Sequence, residues 1–154
     1  MKSHHHFFES AEALSRFGEG LSASLGPGVL ALSGELGAGK TTLARGILQG
    51  MGASGPFSSP TFVLMKEYPV LLSQRGVERI YHVDSYRVQS AELLSQGFLE
   101  WVNDPHGLML LEWPERVEHL LPPDTLRLAL SVEGSGRRLE FLSDDKETFI
   151  FPEP

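Results

Sequence analysis

The sequence predicts an α/β fold whose sheet is partly antiparallel, and three observations carry that expectation. The apolar run Val29-Leu-Ala-Leu32 leads into the glycine-rich Gly34-Glu-Leu-Gly-Ala-Gly-Lys-Thr41 and then Thr42-Leu-Ala-Arg-Gly-Ile-Leu-Gln49, in which Leu43, Ile47 and Leu48 have helical spacing. Strand, loop and helix therefore follow in that order. Two hairpins are also legible. Thr61 to Val70 pairs with Glu78 to Asp84 across Leu71 to Gly76, and Thr125 to Glu133 pairs with Arg137 to Leu142 across Gly134-Ser-Gly136. Finally, Leu108-Met-Leu-Leu-Glu-Trp113 reads as a second buried strand.

The remaining elements follow from local signals. Ser10 to Leu21 reads as an amphipathic helix with Leu14, Phe17 and Leu21 on one face and Ser10 as its N-cap. Gly26-Pro-Gly28 is a turn. A helix starting at Lys40 ends near Gly50 or Gly52, and Gly55 to Pro60 is turn-rich. Ser90 to Gln96 reads as a short capped helix, and Pro114 to Leu121 as a helix with proline in its first turn. The polar tail, 143–154, is expected to fray. With no internal repeat and no dividing linker, residues 1–154 are expected to form one domain.

Composition narrows the function. The chain has 154 residues, 41% hydrophobic and 21% charged, enough for a sizeable core. It has no cysteine, which excludes disulfides and thiolate zinc sites and fits a reducing, cytoplasmic setting. No apolar run approaches the roughly 20 residues that span a bilayer. The start, Met1-Lys-Ser-His-His-His-Phe-Phe8, lacks the long apolar region of a secretory signal. A formal net charge of −7 argues against strong direct binding to nucleic acid, which needs a basic face; Arg137-Arg138 is the only basic doublet.

Gly34 to Thr41 matches G-x-x-x-x-G-K-[ST], the phosphate-binding loop of nucleoside triphosphatases. Each part has a physical task. Gly34, Gly37 and Gly39 allow backbone conformations that side chains forbid. The amides of Gly37 to Thr41 are then free to turn inward around a diphosphate. Lys40 brings a compact charge to the β- and γ-phosphates, and the Thr41 hydroxyl is suited to Mg²⁺. The positive end of the following helix dipole adds to this anion site.

Mg²⁺ also needs carboxylates. Glu112 closes the run Leu108 to Leu111 in the position of a Walker-B acid, and Asp84 closes Ile80-Tyr-His-Val83. Ligands of open α/β sheets gather at such strand ends, although strand-end acids also cap turns. Ser58-Ser-Pro-Thr-Phe62 offers a hydroxyl to the metal or γ-phosphate, or is an ordinary turn. Other signals are weaker. Gly50-Met-Gly-Ala-Ser-Gly55 matches G-x-G-x-x-G but follows a helix, so it reads as a helix stop. Asp104-Pro-His-Gly107 matches D-x-x-G but precedes its strand, and no Asn-Lys-x-Asp guanine-reading motif exists. His4-His-His6 is open to metal binding or to being a partial affinity tag, while His82, His106 and His119 lack metal-like spacing.

Taken in order, Gly34 to Thr42, Ser59-Pro-Thr-Phe62, Tyr81-His-Val-Asp-Ser-Tyr-Arg87 and Leu111-Glu-Trp-Pro-Glu115 resemble the TsaE (YjeE) family of bacterial ATPases over about Ser10 to Leu142. The resemblance implies a P-loop NTPase-like three-layer sandwich. It implies ATP/ADP and Mg²⁺ as cofactors and TsaB and TsaD as partners in making threonylcarbamoyladenosine at tRNA position 37, with tRNA met through the complex. Carried over by position, Leu36, Gly37, Ala38, Gly39, Lys40, Thr41 and Thr42 would hold the phosphates, and Thr41 and Glu112 the metal, with Asp84 near the metal and the attacking water. Thr61 and Trp113 would line the site; Ser10, Glu115 and Arg137 would touch nucleotide outside the loop, with Arg138 an alternative to Arg137. Ser85 departs from the pattern, where a larger residue is expected.

The leading expectation is a partner-coupled ATP hydrolase with Lys40, Asp84 and Thr61 in its chemistry. Two rivals remain open at this level. A small-molecule kinase shares the loop but usually adds an arginine-rich lid, whereas the arginines here are scattered. A non-hydrolysing scaffold would use nucleotide only to organise a partner interface.

Overall fold

A computed structural model describes residues 4–58 and 64–142, except the side chains at 72–74. Its strands are β1 (His4–Phe8), β2 (Gly28–Ser33), β3 (Met65–Gln74), β4 (Val77–Asp84), β5 (Gly107–Glu112), β6 (Leu126–Glu133) and β7 (Gly136–Phe141). Its helices are α1 (Ala11–Leu21), α2 (Lys40–Gly50), α3 (Ser90–Gln96) and α4 (Phe98–Val102). The strands form one seven-stranded sheet in the order β1-β7-β6-β2-β5-β4-β3. β4, β5, β2 and β6 run parallel in its centre, and the β3–β4, β6–β7 and β1–β7 pairs are antiparallel. The α/β class and the partly antiparallel sheet are as expected.

Alternation along the central strands builds three layers. Leu30 and Leu32, Ile80, and Leu108 and Leu110 face a core shared with Leu14, Phe17 and Leu21 of α1 and Leu43, Ile47 and Leu48 of α2. Val29, Tyr81 and Val83, and Met109 and Leu111 face the opposite core with Leu93, Phe98 and Val117. Strands covered on both faces read as continuous apolar runs, as Val29 to Leu32 and Leu108 to Leu111 do. Helices α1 and α2 approach so closely that a Cβ on Gly46 would lie 2.2 Å from the Ser15 carbonyl oxygen.

Several local expectations need correction. The first hairpin does not loop from Leu71; β3 continues to Gln74, which pairs with Val77. Arg75 and Gly76, at φ 51 and 84, make the whole turn, a two-residue geometry that matches strand twist. Pro69 is tolerated because β3 is an edge strand. The short helix over Ser90 to Gln96 forms with a cap at one end: Gln89 opens it without a side-chain bond, Gly97 closes it in left-handed geometry, and Ser90 Oγ donates to the Arg116 carbonyl at 3.2 Å. Pro114 to Leu121 is two short 3₁₀ turns, Pro114–Arg116 and Glu118–Leu120, separated where Val117 leaves helical geometry and is buried. Two elements lacked a sequence signal, β1 and α4. His4-His-His6 lies in β1, and the His6 ring packs 5.1 Å from that of Phe17, so the triplet is not presented as one chelating face. The expected strand residues at 61–63 and the tail at 143–154 lie outside the described residues.

Candidate nucleotide-binding site

The parallel centre of the sheet brings the ends of β2, β4 and β5 side by side. Asp84 is the register partner of Glu112, and Leu32 pairs with Glu112 from the other side. The chain leaves β2 through Gly34, Gly37 and Gly39 at φ 143, 80 and 107, and Gly39 in the left-handed region opens α2. A Cβ on Gly39 would also meet Leu14 Cδ2 at 2.6 Å. The left-handed φ is what calls for glycine there; a Cβ would in addition push the tip of the Leu14 side chain aside.

A cleft of about 350 Å³ lies above these ends and collects Leu36, Lys40, Thr41, Asp84, Glu112 and Trp113, with Gly37, Gly39 and Thr42 along the loop. Thr41 Oγ1 donates to Glu112 Oε1 at 2.9 Å. Lys40, only 5% exposed, donates to the Gly34 carbonyl and, at 2.9 Å, to the Glu35 carbonyl. An ammonium has three donors, so one stays available to an anion. Its Nζ lies 4.0 Å from the Trp113 ring centroid. Burial lowers the Lys40 pKa, against the pull of Glu112, Glu115, Asp84 and Glu35. Burial raises the Asp84 pKa; the Tyr86 amide, donating to Oδ1 at 2.9 Å, opposes this, while Glu112 adds to it. Two strand-end acids pressed together beside a buried ammonium form a site suited to a cation and a polyanion.

Other expected residues fall elsewhere. Ala38 is fully buried behind the loop, and its amide is donated within the loop to Glu35 O at 3.1 Å, so not every amide from Gly37 to Thr41 points inward. Ser10 and Arg137 line a hollow of about 140 Å³ on the other side of the loop, shared with Gly37, Gly39 and Thr42. There Arg137 Nε donates to Gly37 O at 3.0 Å, which favours Arg137 over Arg138 as the loop contact. The Ser10 hydroxyl accepts from the Ala13 amide at 3.1 Å, the expected cap. Glu115 is exposed and lines neither hollow among the described residues; its charge is felt at Lys40. Thr61 lies outside the described residues. From the Ser58-to-Phe62 turn only Ser58 is described, and its hydroxyl takes the Lys66 ammonium.

The structure gives places to residues that motif reading left without a role. Tyr86 and Arg87 line the cleft, within three positions of Asp84. Ser85, fully buried, bridges the carbonyls of Glu112 and Trp113 at 2.9 and 2.6 Å. The Trp113 amide donates to Leu32 O at 3.3 Å, and Trp113 takes a left-handed φ of 62 that turns the chain away after β5. A larger residue at Ser85 would displace this clasp. Asp104 of the D-x-x-G match works at the opposite ends of the strands. It accepts from Arg79 and from the Tyr81 hydroxyl at 2.6 Å, and its Oδ1 accepts the His106 amide at 3.0 Å.

Known proteins resemble this chain in sequence, and a solved structure resembles it in fold. A family model described as "Threonylcarbamoyl adenosine biosynthesis protein TsaE" matches residues 8–139. The tRNA threonylcarbamoyladenosine biosynthesis protein TsaE of Haemophilus influenzae is 36% identical over 113 residues, 73% of this chain and 68% of the relative. That of Rickettsia prowazekii is 35% identical over 149 residues, 95% of this chain and 97% of the relative. The crystal structure of Bacillus subtilus YdiB superposes with a TM-score of 0.71 at 26% identity, covering 91% of this chain and 84% of that one.

Proposed function

The chain belongs to the TsaE family of threonylcarbamoyl adenosine biosynthesis proteins, and from that premise we propose that it is a Mg²⁺-dependent ATPase serving threonylcarbamoyladenosine formation on tRNA. The observation that carries the reading is the convergence of Lys40, Thr41, Asp84 and Glu112 in one cleft.

The donor set fits ATP and Mg²⁺. A hydroxyl and a carboxylate 2.9 Å apart are hard oxygen donors of the kind Mg²⁺ prefers. The spare Lys40 donor and the first-turn amides of α2, which have no intrahelical acceptor, suit phosphate oxygens. Bound ATP with Mg²⁺ supplies the phosphoanhydride and the neutralising cation. Lys40 and the loop amides hold the phosphates; Thr41 and Glu112 hold the metal; Asp84 orients or deprotonates water. Leu36, Thr42 and Trp113 wall the cleft, while Ser10 and Arg137 meet the nucleotide from the far side of the loop.

The partners proposed are TsaB and TsaD. A net charge of −7 supports a protein that meets tRNA through a complex. No helix among the described residues is long and apolar enough to cross a membrane, and a cytoplasmic place of action is part of the proposal. So is the organisation of residues 1–154 as one domain.

The test is ATP hydrolysis by the purified chain, alone and with TsaB and TsaD, beside Lys40→Ala. Turnover that rises with the partners and vanishes in the variant supports the proposal. Complex formation without turnover in any mixture overturns the hydrolase and favours a nucleotide-dependent scaffold.

A further inference from the structure

His82 stands at a costly position. It lies in β4 between β3 and β5, flanked in sequence by the buried Tyr81 and Val83, and is 1% exposed. Such a position normally carries an apolar side chain. Its Nδ1 is buried and has no hydrogen-bond partner among the described residues. An orphaned buried polar atom costs stability, because its hydration is lost and nothing replaces it. The other ring nitrogen accounts for the residue: Nε2 lies 2.7 Å from Glu112 Oε2. A carboxylate is an acceptor, so Nε2 carries the proton and donates. The two Glu112 oxygens are therefore engaged separately, Oε2 by His82 and Oε1 by the Thr41 hydroxyl.

We propose that His82 is a positioning residue that fixes the Glu112 carboxylate, so that Oε1 is presented beside Thr41 to a divalent cation. The inference rests on the reading of Glu112 as the cation's carboxylate. Glu112 is 2% exposed and ends a strand. A flexible carboxylate held by Thr41 alone would have other rotamers open to it. The bond from His82 removes them and leaves lone pairs for the metal. His82 also shares the Ile80 and Asp84 side of β4, so strand alternation places all three toward the layer that carries α2.

The geometry separates this role from mere core filling. A glutamine amide occupies the place of a histidine Nε2, whereas an asparagine amide occupies that of Nδ1. His82→Gln keeps a donor toward Glu112; His82→Asn does not reach it. Binding of ADP is followed by calorimetry in EDTA and at rising Mg²⁺. In His82→Asn the Mg²⁺ needed for half-maximal tightening should rise about 10- to 100-fold with affinity in EDTA unchanged, while His82→Gln stays within about threefold of the parent. If His82→Asn does not fold, His82→Phe, which fills the site without an N–H, carries the same expectation. Adding His82→Asn to Glu112→Gln should change the Mg²⁺ dependence no further, because the effect passes through that carboxylate. Unchanged Mg²⁺ dependence in His82→Asn or His82→Phe, equal losses in the Gln and Asn variants, or an additive double variant would overturn the inference. If Mg²⁺ does not affect ADP binding by the parent, the cation-site reading falls with it. If the parent and Glu112→Gln differ but His82→Asn matches the parent, only the role of His82 falls.

Discussion

Thr41 and Glu112 are joined by a 2.9 Å hydrogen bond across 71 positions of sequence. The bond ties the first turn of α2 to the end of β5. It places a hydroxyl and a carboxylate where hard oxygen donors meet the phosphate loop. Glu112→Ala removes half of that pair and leaves His82 facing a vacated site. The expected outcome is a loss of Mg²⁺ affinity of at least the roughly 10- to 100-fold that losing an outer-shell partner costs, with a smaller change in metal-free nucleotide binding. Nucleotide titrations at a series of Mg²⁺ concentrations check it.

Lys40→Ala should lower ATP turnover by roughly 10²- to 10³-fold, the usual effect of removing one preorganised donor to developing charge. Burial lowers the Lys40 pKa, so the folded protein bears a cost for keeping this ammonium charged. The variant should therefore remain folded while turnover collapses. A thermal melt beside the hydrolysis assay checks both, and a Lys40→Ala protein with parental turnover would remove this lysine from the chemistry.

Gly46→Ala sets two effects against each other. Alanine is favoured over glycine in a helix interior by about 1 kcal/mol. The new Cβ, however, would sit 2.2 Å from a backbone oxygen of α1, and such overpacking costs about 1–3 kcal/mol. The clash should win, because backbone cannot rotate aside as a side chain does. A fall in melting temperature of roughly 2–4 °C per kcal/mol lost is expected for a chain of this size.

The Arg79–Tyr81–Asp104 cluster makes stability depend on pH at both extremes. Burial, with the bond to Asp104, pushes the Tyr81 hydroxyl up to about 12, above its unfolded value of about 10. Its contribution is full below the unfolded value and is lost as pH rises through about 12. Tyr81→Phe should flatten denaturant midpoints measured across that alkaline range. The Arg79 side-chain bond holds the Asp104 carboxyl well below the usual carboxylate range. That contribution is present above about pH 3.9 and is lost as pH falls through the depressed value. Asp104→Asn should therefore destabilise at neutral pH and matter progressively less in acid.

Much of the site was legible because its parts are local. Gly34 to Thr41 declares itself through glycines, lysine and threonine at fixed spacing between an apolar run and a helical one. Asp84 and Glu112 were identifiable as acids ending buried runs. The short edge strand β1 was not: His4-His-His-Phe-Phe8 has no clean alternation and forms through pairing with β7. The two-residue turn at Arg75-Gly76 was hidden because strand character runs without a break through the region read as a loop. The roles of Ser85 and His82 were hidden too: Ser85 stood out only as smaller than expected, and a lone histidine in a strand looks the same whatever it touches.

The sequence alone determined the chemistry on offer: a phosphate loop opening a helix, two strand-end acids, no cysteine, and a net charge of −7 that argues against strong direct nucleic-acid binding. Periodicity and motif spacing are properties of neighbouring residues, so they survive without coordinates. Only the tertiary structure decided how those groups meet. Sheet order β4-β5-β2 sets Asp84 opposite Glu112 and Glu112 beside the loop, and the close crossing of α1 over α2 holds that loop in place. Those relations depend on which strands pair, in what register, over tens of residues, and no local pattern encodes them.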